Sequence, residues 1–107
     1  MNEFDIMIKA IELKKPICFE YAVEGKVVGK RYGNPHCLFI YPNTDNLMVH
    51  IYQVSGVSDT EDKLPGWRSV LLKNIVNIII LEEAECFEAA DGYKPNSKLY
   101  TRVISKL

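Results

Sequence analysis

"FDIMIKAIELKKPICFEYAV", Phe4 to Val23, changes its hydrophobic period halfway along. Before Pro16, the residues Phe4, Met7, Ile8 and Ile11 recur at i, i+3, i+4 and i+7, which is one stripe of an amphipathic helix. After Pro16, Ile17, Phe19 and Tyr21 alternate with Cys18, Glu20 and Ala22, and the residues are β-prone. Asn2 stands at the helix cap position, and Asp5 lies near the positive helix end. Lys14 and Lys15 suit the last turn, and Pro16 stops the helix. The chain thus begins as a helix and continues as a sheet.

Working outward, "EGK" (Glu24–Lys26) reads as a hairpin turn. "KVVGKRYGNPHCLFIY" (Lys26–Tyr41) reads as a strand, a Gly-Asn-Pro break and a second strand. "NTDN" (Asn43–Asn46) is another turn. "LMVHIYQVSG" (Leu47–Gly56) is a strand apolar on both faces, and "VSDTEDKLPG" (Val57–Gly66) a polar loop ended by Pro-Gly. "WRSVLLK" and "NIIILEE" are two further strands separated by "NIV" (Asn74–Val76). In "NSKLYTRVISKL" (Asn96–Leu107), Leu99, Tyr100, Val103, Ile104 and Leu107 share one helical stripe, with Asn96 or Ser97 as cap.

The expected order is helix, five or six short strands, helix: a mainly β, α+β chain. Closely spaced antiparallel strands in so short a chain favour a barrel or curled sheet. Strands apolar on both faces need cover, and the two terminal helices are the available covers. No repeat, low-complexity run or linker divides the 107 residues, so a single domain spanning 1–107 is expected.

A net charge of -1 gives no global basic field for nonspecific nucleic-acid binding. Cys18, Cys37 and Cys86 match no zinc spacing and no CxxC pair, which suits a reduced, cytoplasmic setting. The first apolar stretch carries Glu3, Asp5 and Lys9, unlike a signal peptide, and "NIVNIIILEE" is too short to cross a membrane.

Catalysis by a nucleophile needs a base beside it and a third group to orient the base. His36 adjoins Cys37, but neighbouring strand residues point to opposite faces. His50 is placed to reach Cys37 across a strand pair. The His and Cys spacing fits no standard metal-ligand set. The acidic stretch "EEAECFEAAD" (Glu82–Asp91) reads as a solvated face. P-loop and GxGxxG patterns are absent. The expectation is therefore a non-enzyme with no cofactor and no metal.

Aromatic and basic residues gather near strand ends: Tyr21, Arg31, His36, Tyr52, Trp67, Arg68 and Lys73. Aromatic faces stack bases, and arginine forks pair with phosphates. The same residues also suit the filling of a small barrel and its rim. Along "WRSVLLK", Arg68, Val70 and Leu72 share one face, while Trp67, Ser69 and Leu71 share the other. Trp67 is expected to clamp the structure under a loop or the C-terminal helix, and Arg68 to stand at the barrel mouth.

Four motifs in order resemble the WYL domain family, in its small standalone form. They are "KAIELKKPICFEY" (Lys9–Tyr21), "RYGNPHCLFIY" (Arg31–Tyr41), "YQVSGVS" (Tyr52–Ser58) and "PGWRSVLLKNIVNIIIL" (Pro65–Leu81), followed by Phe87 and Tyr93. Two positions depart from the pattern. Leu47, Met48 and Val49 stand where the naming Trp-Tyr-Leu would fall, and Asn74 replaces a frequent arginine. The resemblance implies an SH3-like or Sm-like five-stranded barrel and a ligand-sensing role of the kind found in bacterial transcription factors and defence systems. It further implies a nucleotide or short single-stranded nucleic acid as ligand. Arg31, His36, Tyr52, Trp67 and Arg68 are the candidate ligand-binding residues. No DNA-reading helix is evident, so regulation of transcription would require a separate regulator as partner. The alternative is a protein-interaction or scaffold module that self-associates through its rim or an edge strand.

Overall fold

The computed structural model describes residues 1–59 and 63–107. Helix α1 (Glu3–Leu13) is capped by Asn2, whose side chain accepts from the Asp5 N–H at 2.9 Å. It ends at Lys14, which adopts a left-handed conformation with φ 55°. Six strands follow: β1 (Ile17–Tyr21), β2 (Arg31–Ile40), β3 (Leu47–Gly56), β4 (Gly66–Leu71), β5 (Ile75–Ile80) and β6 (Val103–Lys106). All pairings are antiparallel, in the order β4-β3-β2-β1-β5, with β6 added to β2. The sheet is not closed. The polar loop expected over Val57–Gly66 is described at 57–59 and 63–65; Thr60, Glu61 and Asp62 lie outside the described residues.

Strand β2 organises the sheet. Along one edge it pairs with β3 throughout. Its other edge is shared: β1 takes Arg31–Gly33, and β6 takes Cys37–Phe39. The Gly-Asn-Pro break expected before His36 is not a break, because the strand runs through it. Between Pro35 and Cys37 the register slips by one residue against β3, and His36 is the extra residue of a β-bulge. Two strand boundaries also move. The residues Lys26–Lys30 form no strand, and the gap between β4 and β5 is a single 3-10 turn at Leu72–Asn74 rather than "NIV".

The expected C-terminal helix is replaced by strand β6. The sequence Val103-Ile104-Ser105-Lys106 satisfies either period over so short a run. The second half of β2 offers unpaired main-chain groups, and hydrogen bonding to them decides the outcome. Ile40 N–H donates to the Arg102 carbonyl at 2.9 Å, and Leu107 N–H to the His36 carbonyl at 3.0 Å.

On the inner face of the sheet, Met7, Ala10 and Ile11 of α1 pack with Ile17, Phe19, Leu38, Val49, Ile51 and Val70. The outer face is covered by the irregular segment 81–102, the cover that a second helix was expected to give. Its rings enclose β2 and β3: Tyr100 lies 4.9 Å from Phe39, and Phe87 and Tyr93 each 5.1 Å from His36.

Candidate ligand-binding site

Cross-strand partners point to the same face of a sheet. Phe19 pairs with Arg31, and Arg68 with Ile51, so both arginines project to the inner face. They emerge beyond the end of the apolar core. Gln53 lies on that face too, opposite Gly33 and Gly66. Together with Tyr21, Lys26, Asp59 and Val70 they line a cavity of about 150 Å³. Its lining carries three cationic side chains and one carboxylate.

Arg31 is 6% exposed. Its guanidinium pairs with Asp59, donates to the Val27 carbonyl at 3.2 Å and lies over the Tyr21 ring, 5.4 Å from its centroid. Asp59 also accepts from the Val27 N–H. That N–H and the arginine hold its carboxyl below the usual carboxylate range. Gln53 is fully buried, and its amide donates to the Ser55 and Val57 carbonyls at 3.1 and 2.8 Å. Among the described residues, Gln53 Oε1 and Arg31 Nε have no hydrogen-bond partner. A buried acceptor and a buried donor left unpaired cost about 1–3 kcal/mol each. Arg68 donates to its neighbour's carbonyl, Trp67 O, at 2.9 Å and to the Ser58 hydroxyl at 3.2 Å.

The other three expected site residues lie on the opposite face. Tyr52 pairs with Trp67, and their rings meet at 5.3 Å. Trp67 is held as a clamp, as its position suggests. Its indole N–H donates to the Asp91 carbonyl at 2.9 Å, and its ring stacks on Tyr93 at 6.2 Å. The clamping cover is segment 81–102, not a C-terminal helix.

His36 is fully buried, and both ring nitrogens are engaged. Nδ1–H donates to the Asn34 carbonyl at 2.7 Å, and Nε2 accepts from the Ala90 N–H at 3.0 Å. Burial pushes its pKa down. This is a neutral ring used as packing, with no face left for a ligand. Of the five residues named from the sequence, Arg31 and Arg68 share one cavity, and His36, Tyr52 and Trp67 do not reach it. Gln53 was missed. A glutamine within an apolar strand is a weak signal that only burial makes meaningful.

The bulge also alters the expected geometry of His36 and Cys37. A bulge suspends the alternation of faces. His36 packs against outer-face rings, while Cys37 pairs in register with His50 on that same face. The Cys37 thiol is pushed up to about 12 by burial, which keeps it protonated. His50 Nδ1 hydrogen-bonds the Tyr100 hydroxyl at 2.6 Å. Among the described residues, no group of His, Cys, Asp and Glu side chains could hold a metal ion.

A second cavity, about 250 Å³, lies on the outer side of β4, lined by His50, Trp67, Arg68, Ser69, Tyr93, Lys94 and Tyr100 among others. A wider cleft of about 490 Å³ sits beside the start of α1, but Glu3 and Asp45 balance its single Lys73 and make it poorly suited to an anion. Among the described residues, no helix is long and apolar enough to cross a membrane.

Comparison with known proteins finds no matching family model, no similar curated protein and no similar solved structure.

Proposed function

We propose that this chain is a non-catalytic, ligand-sensing module of WYL type that binds a nucleotide or short single-stranded nucleic acid. The observation that carries this reading is the cavity in which Arg31, Arg68 and Gln53 converge, whose lining carries three cationic side chains against the single carboxylate of Asp59. Arginine forks match phosphate oxygens, and Tyr21 adds a ring at the same mouth. The strand order, with a short turn between β4 and β5, supports an SH3-like or Sm-like barrel as its architecture. Any effect on transcription would pass through a separate regulator.

The test is a thermal-shift and titration screen of nucleotides and short single strands against the intact chain. A bound ligand raises apparent stability by mass action. Binding should weaken with added salt, and Arg68→Ala should weaken it roughly ten-fold or more. Equal binding by Arg68→Ala and the parent would remove Arg68 from the site.

A second reading, self-association, draws on the outermost strands. Among the described residues, β4 and β5 pair on one side only, and Ile79 on β5 is 59% exposed. Edges of this kind can pair with another copy. A monomer by light scattering at high concentration would count against it.

A further inference from the structure

We propose that His36 is an acid-sensitive latch: its neutral ring holds the stretch 87–93 over the outer face of the sheet, and protonation of that ring releases the stretch before the rest of the fold is lost.

The latch follows from hydrogen-bond direction. A neutral imidazole has one donor and one acceptor, and His36 uses both. Nδ1 is committed as the donor, because the Asn34 carbonyl can only accept. Nε2 is committed as the acceptor, because the Ala90 main-chain N–H can only donate. A proton added at Nε2 would set one N–H against another and break the bond to Ala90. It would also place a full charge among the rings of Trp67, Phe87 and Tyr93, whose centroids lie 4.7, 5.1 and 5.1 Å away. The less costly outcome is for the covering stretch to move and let water reach the ring. That stretch has no regular secondary structure and contributes nothing to the apolar core under α1, so it can open locally. Opening also breaks the Trp67 bond to the Asp91 carbonyl.

No neighbouring charge offsets the added proton. On β2 the adjoining Cys37 thiol is pushed up to about 12 and stays neutral, and Tyr93 of the covering stretch is likewise pushed up. From β4 comes only the indole of Trp67. Glu88 and Asp91 are exposed. Lys106 of β6 acts on Cys37, whereas burial and the Asn34 carbonyl are what act on His36, and burial prevails. Release therefore lies below about pH 6.5.

His50, the chain's other histidine, supplies the contrast. It holds the same irregular segment through the Tyr100 hydroxyl at 2.6 Å. A hydroxyl accepts as well as donates, so that bond survives protonation of the ring.

The experiment follows the intact chain from pH 8 to pH 4 with three readouts. They are the emission of Trp67, the one tryptophan; the labelling of Cys37 relative to exposed Cys86 by a disulfide reagent active in acid; and far-UV circular dichroism. The expected result is a red shift of Trp67 emission and at least a ten-fold rise in relative Cys37 labelling while the dichroism is unchanged. An NMR titration of the His36 ring should share their midpoint. His50→Gln should keep the transition. His36→Gln, which retains a donor and an acceptor but gains no proton, should abolish it. If His36→Gln does not fold, the shared midpoint in the parent and its survival in His50→Gln decide.

Protection of Cys37 that lasts until the dichroism is lost overturns the proposal. So does a His36 midpoint apart from that of release, a transition lost in His50→Gln, or one unchanged in a folded His36→Gln.

Discussion

The ring of His36 meets the indole of Trp67 edge to face, with centroids 4.7 Å apart. Each ring is also tied to segment 81–102 by its own hydrogen bond, His36 to Ala90 and Trp67 to Asp91. The pair therefore fastens a stretch that has no regular secondary structure of its own. Trp67→Ala should cost stability rather than ligand affinity in the inner cavity. Truncating a fully buried aromatic costs about 3–5 kcal/mol, and Trp67 is half-buried, so about 2–3 kcal/mol is expected. Thermal denaturation should show a fall in Tm of roughly 10–20 °C. Trp67→Phe, which keeps a ring but loses the bond to Asp91, should fall in between.

Stability should decline in two stages as pH is lowered. His36 and His50 are both held below their ordinary value by burial. Unfolded, they take up protons near pH 6.5, so the unfolded state binds more protons as pH falls through that value. That first loss lies below about pH 6.5. Asp59 adds a second. Its folded carboxyl sits below the unfolded value near 4, so its contribution is present above that pH and lost beneath it. Urea midpoints measured from pH 8 to pH 3 check both stages. A flat response between pH 7 and 5 would contradict neutral buried histidines.

Two glycines with left-handed backbones should respond differently to alanine. Gly25 has φ +83° and nothing near its missing Cβ, so Gly25→Ala should cost only the backbone term of about 1–2 kcal/mol. Gly56 has φ +97°, and a Cβ there would fall 2.3 Å from the Lys30 carbonyl oxygen and 2.8 Å from Arg31 Cα. The clash is with main chain, which cannot swing aside. Gly56→Ala should therefore cost about 2–4 kcal/mol and loosen Arg31 as well. Chemical denaturation of the two variants side by side is the measurement.

Thiol titration should find one fast cysteine. Cys86 is exposed, whereas Cys18 and Cys37 are buried and the Cys37 thiol is pushed up to about 12. With a disulfide reagent at pH 8, one equivalent should react at once, and all three only in denaturant. Rapid reaction of Cys37 in the folded protein would show that segment 81–102 opens readily.

The change of period at Pro16 carried the first helix and first strand correctly into the structure, because both elements are long enough to show their repeats. The strand Leu47–Gly56 was legible to the residue. Val103–Lys106 was not: four residues cannot separate a repeat of two from one of 3.6, and the deciding partner, the free edge of β2, lies more than sixty residues earlier. The bulge at His36 hid for a similar reason. A Gly-Asn-Pro sequence signals a chain break locally, yet β3 holds β2 straight across it. Arg31 and Arg68 were legible as a pair because arginines in strands are conspicuous. Their separation from His36, Tyr52 and Trp67 depended on which face each strand presents, and the bulge resets that for His36.

The shared edge of β2 has a consequence for how the chain is made. β1 and β6 lie side by side along one strand, although they are the first and last strands in sequence. The hairpin of β2 and β3 can form while later residues are still being synthesised, since its turn is short and local. The groups on β2 that await β6 stay open until residues 103–107 leave the ribosome. Completion of this sheet thus waits on its sixth strand, and a chain stalled before Val103 would expose half an edge to whatever strand came by.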